Sequence, residues 1–262
     1  MKDVLPQDPD QGRIRQSFRR GLESYHRNAS VQAQIAARLA QMLQDQGAPG
    51  QFRAVLEFGC GTGHLTGELL QRFETDSLLL NDLVPEAALL LKNLRHTPAQ
   101  ARFEAGPVEG LALPQDLDLV ASASTVQWIA GLPALMARLA AHLKPGGWLA
   151  LSGFGRSQFR ELAALGSDAA APAYLDAEEW PAVLPDGVEI LAIEQQPVEL
   201  EFETALALLK HLRQTGVNGQ ARQNWSRRCL QDFESAYRAR FGRDGKLPLT
   251  YDPVLLIARK TW

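Results

Sequence analysis

The 262-residue sequence predicts an α/β fold around one large sheet, and three observations carry that expectation. The run Ala54-Val55-Leu56-Glu57-Phe58 has the length and apolar content of a buried strand, and it meets glycines at alternate positions, Gly59, Gly61 and Gly63. Behind them the chain turns amphipathic at helical spacing through Glu68, Leu69, Leu70 and Phe73. Further short apolar runs then alternate with helical or turn-rich stretches to the end of the chain. The strand, glycine turn and helix together read as a nucleotide-binding turn. Glycine lets backbone approach a ligand without an intervening Cβ, and a helix start offers unpaired N–H groups.

Length and charge narrow the setting. A chain of this size buries one large α/β core with elaborations. A formal net charge of −3 gives no bulk attraction to nucleic acid or to an anionic membrane. No stretch reaches the ~18–20 continuous apolar residues of a membrane span, and Met1–Asp10 lacks an apolar leader, so a cytoplasmic location is expected. The two cysteines, Cys60 and Cys229, cannot build a disulfide framework or a cysteine zinc site, and no metal is expected. Cys60 sits near a helix N-terminus, where thiol pKa values can fall; the plainer reading is a small residue where space is short.

The ligand is not a dinucleotide. A G-x-G-x-x-G fingerprint starting at Gly59 needs its third glycine where His64 stands. Glu57 would also repel a pyrophosphate drawn to the helix start, whereas a ligand with a cationic or hydroxyl-rich part suits it.

The remaining elements follow in order. Ser77-Leu78-Leu79-Leu80-Asn81-Asp82 is a second strand ending in an acid that can accept from both ribose hydroxyls, with Asn81 and Leu83 placed to flank a purine. Taken alone, Asp82 reads as a helix N-cap or a solvated loop acid; the glycine loop beside it favours the ribose. A helix from Val84 reaches about Leu94. Arg102–Ala105 is a short third strand that exits through Gly106–Gly110. Leu117–Ser122 is the fourth, with Ser124-Thr125-Val126-Gln127-Trp128 at its carboxyl end, where ligands bind in open α/β sheets. Trp128 as a core anchor and Gln127 as a turn cap are the structural alternatives. A helix from Pro133 to His142 stops at Leu143-Lys144-Pro145-Gly146-Gly147, a turn leading into strand five, Trp148–Ser152. Strands six and seven are Val188–Ile193 and Val254–Arg259. Residues 156–185 and 202–246 exceed what a minimal fold needs and read as lid insertions. Ile14, Phe18, Leu22, Tyr25, Ile35, Leu39 and Leu43 recur at helical spacing, so residues 1–50 read as a helical cap over the cofactor and 51–262 as the core.

Glu57-Phe58-Gly59-Cys60-Gly61-Thr62-Gly63 resembles motif I of the class I S-adenosylmethionine-dependent methyltransferases, and Leu143–Gly147 with Leu149 matches a phrase of the same enzymes. The resemblance implies a Rossmann-like, seven-stranded, mostly parallel sheet with helices on both faces and S-adenosylmethionine as cofactor. Glu57, Phe58, Gly59, Cys60, Gly61 and Gly63 would then lie along its amino-acid part, with Glu57 orienting the ammonium. Asp82 would hold the ribose, with Asn81 and Leu83 beside the purine. Many members carry a Gly-Asp-x-Glu pattern after strand three; here Pro107 replaces the acid, which leaves the adenine to Pro107, Val108 and Glu109. Ser122 completes the cofactor-binding set. Nucleic-acid amine methyltransferases place Asn/Asp-Pro-Pro-aromatic after strand four, where this chain has Ser122-Ala123-Ser124-Thr125.

Five phrases in order resemble the malonyl-acyl carrier protein O-methyltransferases of biotin synthesis: Phe18–Gln32, Ser124–Trp128, Phe159–Leu162, Leu209–Asn218 and Leu247–Asp252. This implies methylation of the free carboxylate of a malonyl thioester on acyl carrier protein or coenzyme A, making a methyl ester for pimeloyl synthesis. Such a carboxylate is ionised near pH 7, so no general base is needed and alignment is the main task. A bidentate arginine would hold the attacking charge too firmly in the ground state, so lighter contacts are expected. The candidates are Tyr25, Gln127 and Trp128 at the reacting centre, with Tyr25, His211 and Arg213 on the substrate. An aromatic face near the sulfonium would add roughly 0.5–2 kcal/mol. Carrier protein is acidic, and Arg13, Arg15, Arg19, Arg20, Arg222, Arg227 and Arg228 are candidates for docking it. Another small-molecule methyltransferase, acting on a carboxylate or quinone precursor, and a non-catalytic S-adenosylmethionine-binding regulator remain as alternatives.

Overall fold

The computed structural model describes residues 12, 29–89, 94, 98–167, 171, 173–215 and 226–262. Two compact units are resolved by internal contacts. One holds Ser30–Gln158, Ala171–Val198 and Asp252–Trp262; the other includes the described residues of Phe159–Ala170 and Glu199–Tyr251.

The first unit is built on a seven-stranded sheet. Its strands are β1 (Gln51–Phe58), β2 (Glu74–Asp82), β3 (Gln100–Ala105), β4 (Leu117–Ser122), β5 (Leu143–Phe154), β6 (Val188–Gln195) and β9 (Pro253–Lys260), in the order β3-β2-β1-β4-β5-β9-β6. β1, β2, β3, β4 and β5 pair in parallel, while β9 runs antiparallel to both β5 and β6. The order reverses between β1 and β4, the switch point at which open α/β sheets bind ligands.

Near-continuous apolar strands follow from burial on both faces. Leu56 and Phe58 of β1, Val120 of β4 and Leu149 and Leu151 of β5 pack with Leu135, Met136 and Leu139 of helix α3 (Leu132–His142). The alternate residues of β1, Val55 and Glu57, therefore face the other side. Helix α1 (Ser30–Asp45) packs on β5 and β9 and along helix α2 (His64–Arg72), burying Val31, Ile35, Leu39, Met42 and Leu43 at helical spacing. The second half of the expected N-terminal cap is thus a layer of the sheet unit. Ile14, Phe18, Leu22 and Tyr25 lie outside the described residues.

Two local expectations are corrected. Leu143–Gly147 is not a turn ahead of strand five but part of β5. Leu117 pairs with Leu143 and Leu119 with Trp148, so two steps along β4 face five along β5 and Lys144–Gly147 bulge out. After β2 the described chain forms a 3-10 turn, Pro85–Leu89, rather than the start of a long helix; the stretch expected to continue it falls largely outside the described residues.

The second unit joins pieces of both expected insertions. Strand β7 (Val198–Phe202) pairs with β8 (Leu247–Tyr251), and helices α4 (Arg160–Ala164), α5 (Ala205–Gln214) and α6 (Arg227–Phe241) pack with β8 or with each other. Thr204 and Ser226 cap α5 and α6 by accepting the N–H groups of Ala207 and Cys229, each at 3.1 Å. Tyr237 donates from its hydroxyl to the Pro248 carbonyl at 2.6 Å. The buried Glu161 carboxylate accepts from the N–H and the hydroxyl of Thr250. Among the described residues no helix is long and apolar enough to cross a membrane, and none group as metal ligands.

Candidate active site

The carboxyl ends of β1, β2 and β4 bring most of the candidate residues together in the sheet unit. After Phe58 the chain turns sharply, with φ of +64° at Gly59, +52° at Gly61 and +83° at Gly63, a region open to glycine at little steric cost. Gly63 is the N-cap of α2 and supplies no side-chain bond, so the first N–H groups of that helix are left to other partners. Among the described residues nothing lies within 4 Å of where a Cβ on Gly61 would sit. The glycine loop borders open space there.

Asp82 braces this loop. One of its oxygens accepts the Gly61 N–H at 2.8 Å, and the other accepts the Val84 N–H at 2.8 Å. Each carboxylate oxygen keeps a further lone pair for a hydroxyl donor. Burial raises the Asp82 pKa, against the lowering effect of the Val84 and Gly61 N–H groups.

Glu57 is 1% exposed and sits between Leu80 of β2 and Ala121 of β4. Its Oε2 has no hydrogen-bond partner among the described residues. Burial pushes its carboxyl up to about 8; Thr66 of α2 opposes that shift and the nearby Asp82 charge adds to it. An unpartnered carboxylate oxygen of this kind is made for a cation. The Cys60 thiol is pushed well up by burial and by Asp82 and Glu57, opposite to the fall a helix N-terminus alone would suggest.

Other candidates spend their polar atoms on the scaffold. Asn81 donates its amide to the carbonyls of Glu104 at 2.9 Å and Gly106 at 3.0 Å, which fixes the exit of β3. Beyond that exit, Pro107 precedes a 3-10 turn, Val108–Gly110, in which Val108 is buried and Glu109 exposed. Arg138 of α3, a residue the sequence did not single out, donates to the carbonyls of Val108 at 3.0 Å and Leu111. Ser122 gives its hydroxyl to the Phe58 carbonyl at 2.8 Å, tying β4 to β1. Gln127 is 2% exposed; its Nε2 donates to the Ser124 carbonyl at 2.7 Å and its Oε1 is buried without a partner among the described residues. Gln127 is therefore a strut of the turn Val126–Trp128, while Trp128 and Leu83 are half-buried.

His211 and Arg213 belong to the other unit, on α5. His211 Nε2 lies 2.8 Å from the Tyr251 hydroxyl, its ring packs on Phe202 with centroids 5.2 Å apart, and burial lowers its pKa. Arg213 is exposed. Arg227 and Arg228 open α6, whereas Tyr25, Arg13, Arg15, Arg19, Arg20 and Arg222 lie outside the described residues.

Among the described residues the site therefore offers a buried carboxylate oxygen without a partner, a second carboxylate with spare lone pairs, and open space before a glycine turn. A ligand with an ammonium group and a ribose fits it, and a diphosphate beside Glu57 does not.

Comparison with known proteins gives the same reading. Residues 55–147 match the family model described as a methyltransferase domain. The malonyl-acyl carrier protein O-methyltransferase of Acinetobacter baylyi is 34% identical over 95% of this chain and 96% of its own. That of Haemophilus influenzae is 36% identical over 95% of both. Among solved structures, a protein of Bacillus halodurans assigned as a methyltransferase superimposes with a TM-score of 0.61 at 16% identity, covering 86% of this chain and 99% of that one. The N-methyltransferase NodS of Bradyrhizobium japonicum, solved with S-adenosyl-L-homocysteine, gives 0.57 at 15% identity over 95% and 99%. With a Rossmann-like methyltransferase fold and relatives of this identity along nearly its whole length, the chain belongs to the malonyl-acyl carrier protein O-methyltransferase family.

Proposed function

We propose that this enzyme transfers the methyl group of S-adenosylmethionine to the free carboxylate of a malonyl thioester on acyl carrier protein. The observation that carries the cofactor is the buried Oε2 of Glu57, without a partner among the described residues, beside a glycine turn and Asp82. When bound, S-adenosylmethionine supplies an electrophilic methyl group on a sulfonium sulfur. Glu57 ionises to meet the ammonium of its amino-acid part. Asp82 accepts from the ribose hydroxyls with the lone pairs that Gly61 and Val84 leave. The loop fixed by Asn81 and Arg138 presents Pro107 and Val108 to the adenine, which explains how an acid at position 107 can be dispensed with.

The chain needs no general base. A malonyl carboxylate is ionised at pH 7, so the protein's work is to hold its oxygen in line and keep water out, and alignment can contribute ~7–11 kcal/mol. Trp128 takes the reacting side of the turn that Gln127 braces, and Tyr25 remains a candidate there. Arg213 is the better charge partner for the substrate, since His211 is committed to Tyr251 and its charged form is disfavoured by burial. Acyl carrier protein is the proposed carrier, coenzyme A the lesser one, and nucleic acid no partner.

The test is transfer of label. Purified enzyme, methyl-labelled S-adenosylmethionine and malonyl-acyl carrier protein should give a base-labile methyl ester, more slowly with malonyl-coenzyme A and not with a succinyl carrier. Binding of S-adenosylhomocysteine with no transfer to any acceptor would make the protein a binding module instead.

A further inference from the structure

The first glycine of the loop has a neighbour that the cofactor does not explain. A Cβ built on Gly59 would lie 2.1 Å from Thr125 Oγ1, 2.5 Å from its Cγ2 and 2.7 Å from its Cβ. Real Cβ atoms do not approach so closely, and the obstacle is a β-branched side chain with little rotamer freedom. At Gly61 the same construction meets nothing within 4 Å among the described residues. The two glycines therefore make room for different things: Gly61 for whatever enters the open space, Gly59 for Thr125.

Thr125 is held where it stands. Its hydroxyl lies 3.3 Å from the Gly59 carbonyl and 3.2 Å from the Ala123 carbonyl, one proton facing two acceptors. Ser124 before it adopts φ +56°, uncommon for a residue with a Cβ. The Ser124 N–H faces the Oγ of Ser152 at 3.0 Å and its carbonyl at 3.1 Å. After Thr125 the chain enters the Gln127–Trp128 turn, where the Trp128 N–H donates back to the Thr125 carbonyl at 2.9 Å. One residue thus touches the loop after β1 and starts the turn after β4, the two sides of the switch point.

We infer that Thr125 is a positioning residue that seats the glycine loop against the acceptor-side turn, and that Gly59 is glycine for its φ of +64° and to admit the Thr125 side chain, rather than for the cofactor. Methyl transfer needs donor and acceptor in one frame to within about half an ångström, and Thr125 ties the two loops that hold them. The inference rests on the cofactor reading given above and adds to it a division of labour within the glycine loop.

The experiment is a double-mutant cycle read by S-adenosylhomocysteine calorimetry, with thermal melting of each ligand-free variant. Gly59→Ala should weaken binding at least about tenfold, and Thr125→Ala in the same chain should recover part of that loss, the strain of a Cβ at φ +64° remaining, a coupling within the usual range for contacting residues. Gly61→Ala should also weaken binding, and Thr125→Ala should not rescue it. Thr125→Val, which keeps the bulk and loses the hydroxyl, should leave affinity within about threefold but slow single-turnover transfer about tenfold, with Thr125→Ser restoring the rate. If Gly59→Ala binds equally weakly with and without Thr125→Ala, and Thr125→Ala does not raise its melting temperature, Gly59 serves the cofactor and the inference is overturned. Should the Gly59 variants not fold, Thr125→Val transferring at the parent rate would overturn it as well. Failure of the parent protein to bind S-adenosylhomocysteine would instead remove the cofactor reading.

Discussion

The backbone N–H of Gly61 donates to the carboxylate of Asp82 at 2.8 Å, so the middle of the glycine loop hangs from the tip of the neighbouring strand. Asp82→Ala strips this N–H and that of Val84 of their acceptors, each loss worth ~1–3 kcal/mol where water cannot replace it. The ligand-free variant should melt several degrees lower and bind S-adenosylhomocysteine at least about 100-fold more weakly. Asp82→Asn, which keeps one acceptor, should fall between. Parent-like melting and affinity in Asp82→Ala would deny the residue both roles.

Glu57 makes stability depend on pH. Its folded pKa, about 8, lies above the ordinary 4.5 because of burial. Between those values the unfolded chain has lost a proton that the folded chain keeps, so stability falls as pH rises from about 4.5 to about 8 and is level on either side with respect to this group. Glu57→Gln removes that slope: its melting temperature relative to the parent should climb from pH 5 to pH 8. At pH 6.5, binding of S-adenosylhomocysteine to the parent should release a proton, seen as an enthalpy that changes with buffer ionisation heat, and the Glu57→Gln variant should release none. A buffer-independent enthalpy in the parent would contradict this.

The chemical step should be nearly flat with pH. The attacking group is a substrate carboxylate with a reference pKa far below 6, and nothing on the enzyme has to take a proton from it. Single-turnover rates at saturating S-adenosylmethionine should change less than about threefold from pH 6 to 8, while a titrating base would give a tenfold rise per unit.

Arg138 and Asn81 hold the loop after β3 by bonds to four carbonyls, those of Val108, Leu111, Glu104 and Gly106. Arg138→Met should weaken S-adenosylhomocysteine binding about tenfold, the scale of a charged hydrogen bond lost, and Arg138→Lys should recover only part because a single ammonium lacks the fork. Calorimetry showing parent affinity in Arg138→Met would free the loop from this brace.

His211 and Arg213 should separate in kinetics. The His211–Tyr251 contact of 2.8 Å packs the second unit, so His211→Gln should lower melting temperature with little change in KM for malonyl-acyl carrier protein. Arg213→Met on the exposed side of α5 should raise that KM several-fold without moving the melting temperature. The opposite pattern would exchange their roles.

How much of this was readable beforehand depends on which partner a residue uses. The central strands were legible because their apolar stretches, Val55–Phe58, Leu78–Leu80, Leu117–Ser122, Trp148–Phe154 and Val254–Ala258, are mostly buried, and the glycine loop because its spacing excludes a dinucleotide. The β7–β8 pair was missed, although Val198-Glu199-Leu200-Glu201-Phe202 alternates as a half-buried strand should, because its partner Leu247–Tyr251 is remote in sequence. The hydrogen bonds of Asn81 and Ser122 run to carbonyls on other strands and at the exit of β3, which no local pattern announces, whereas the Gln127 bond to Ser124 is the local turn cap offered as its structural alternative. Arg138 carried no signal at all. Thr125 lay inside a recognised phrase, and only the position of the Gly59 α-carbon shows why its shape matters.

The bulge at Lys144–Gly147 has a practical use. Downstream of it, Trp148 to Phe154 are held in register from the other side by β9, Trp148 opposite Arg259 through Phe154 opposite Pro253. Extra residues spliced into the bulge would therefore extrude without sliding the strand, at the end of the sheet away from the cofactor loop. That makes the Lys-Pro-Gly-Gly segment the place to graft a spectroscopic label or an affinity tag while leaving the catalytic machinery undisturbed.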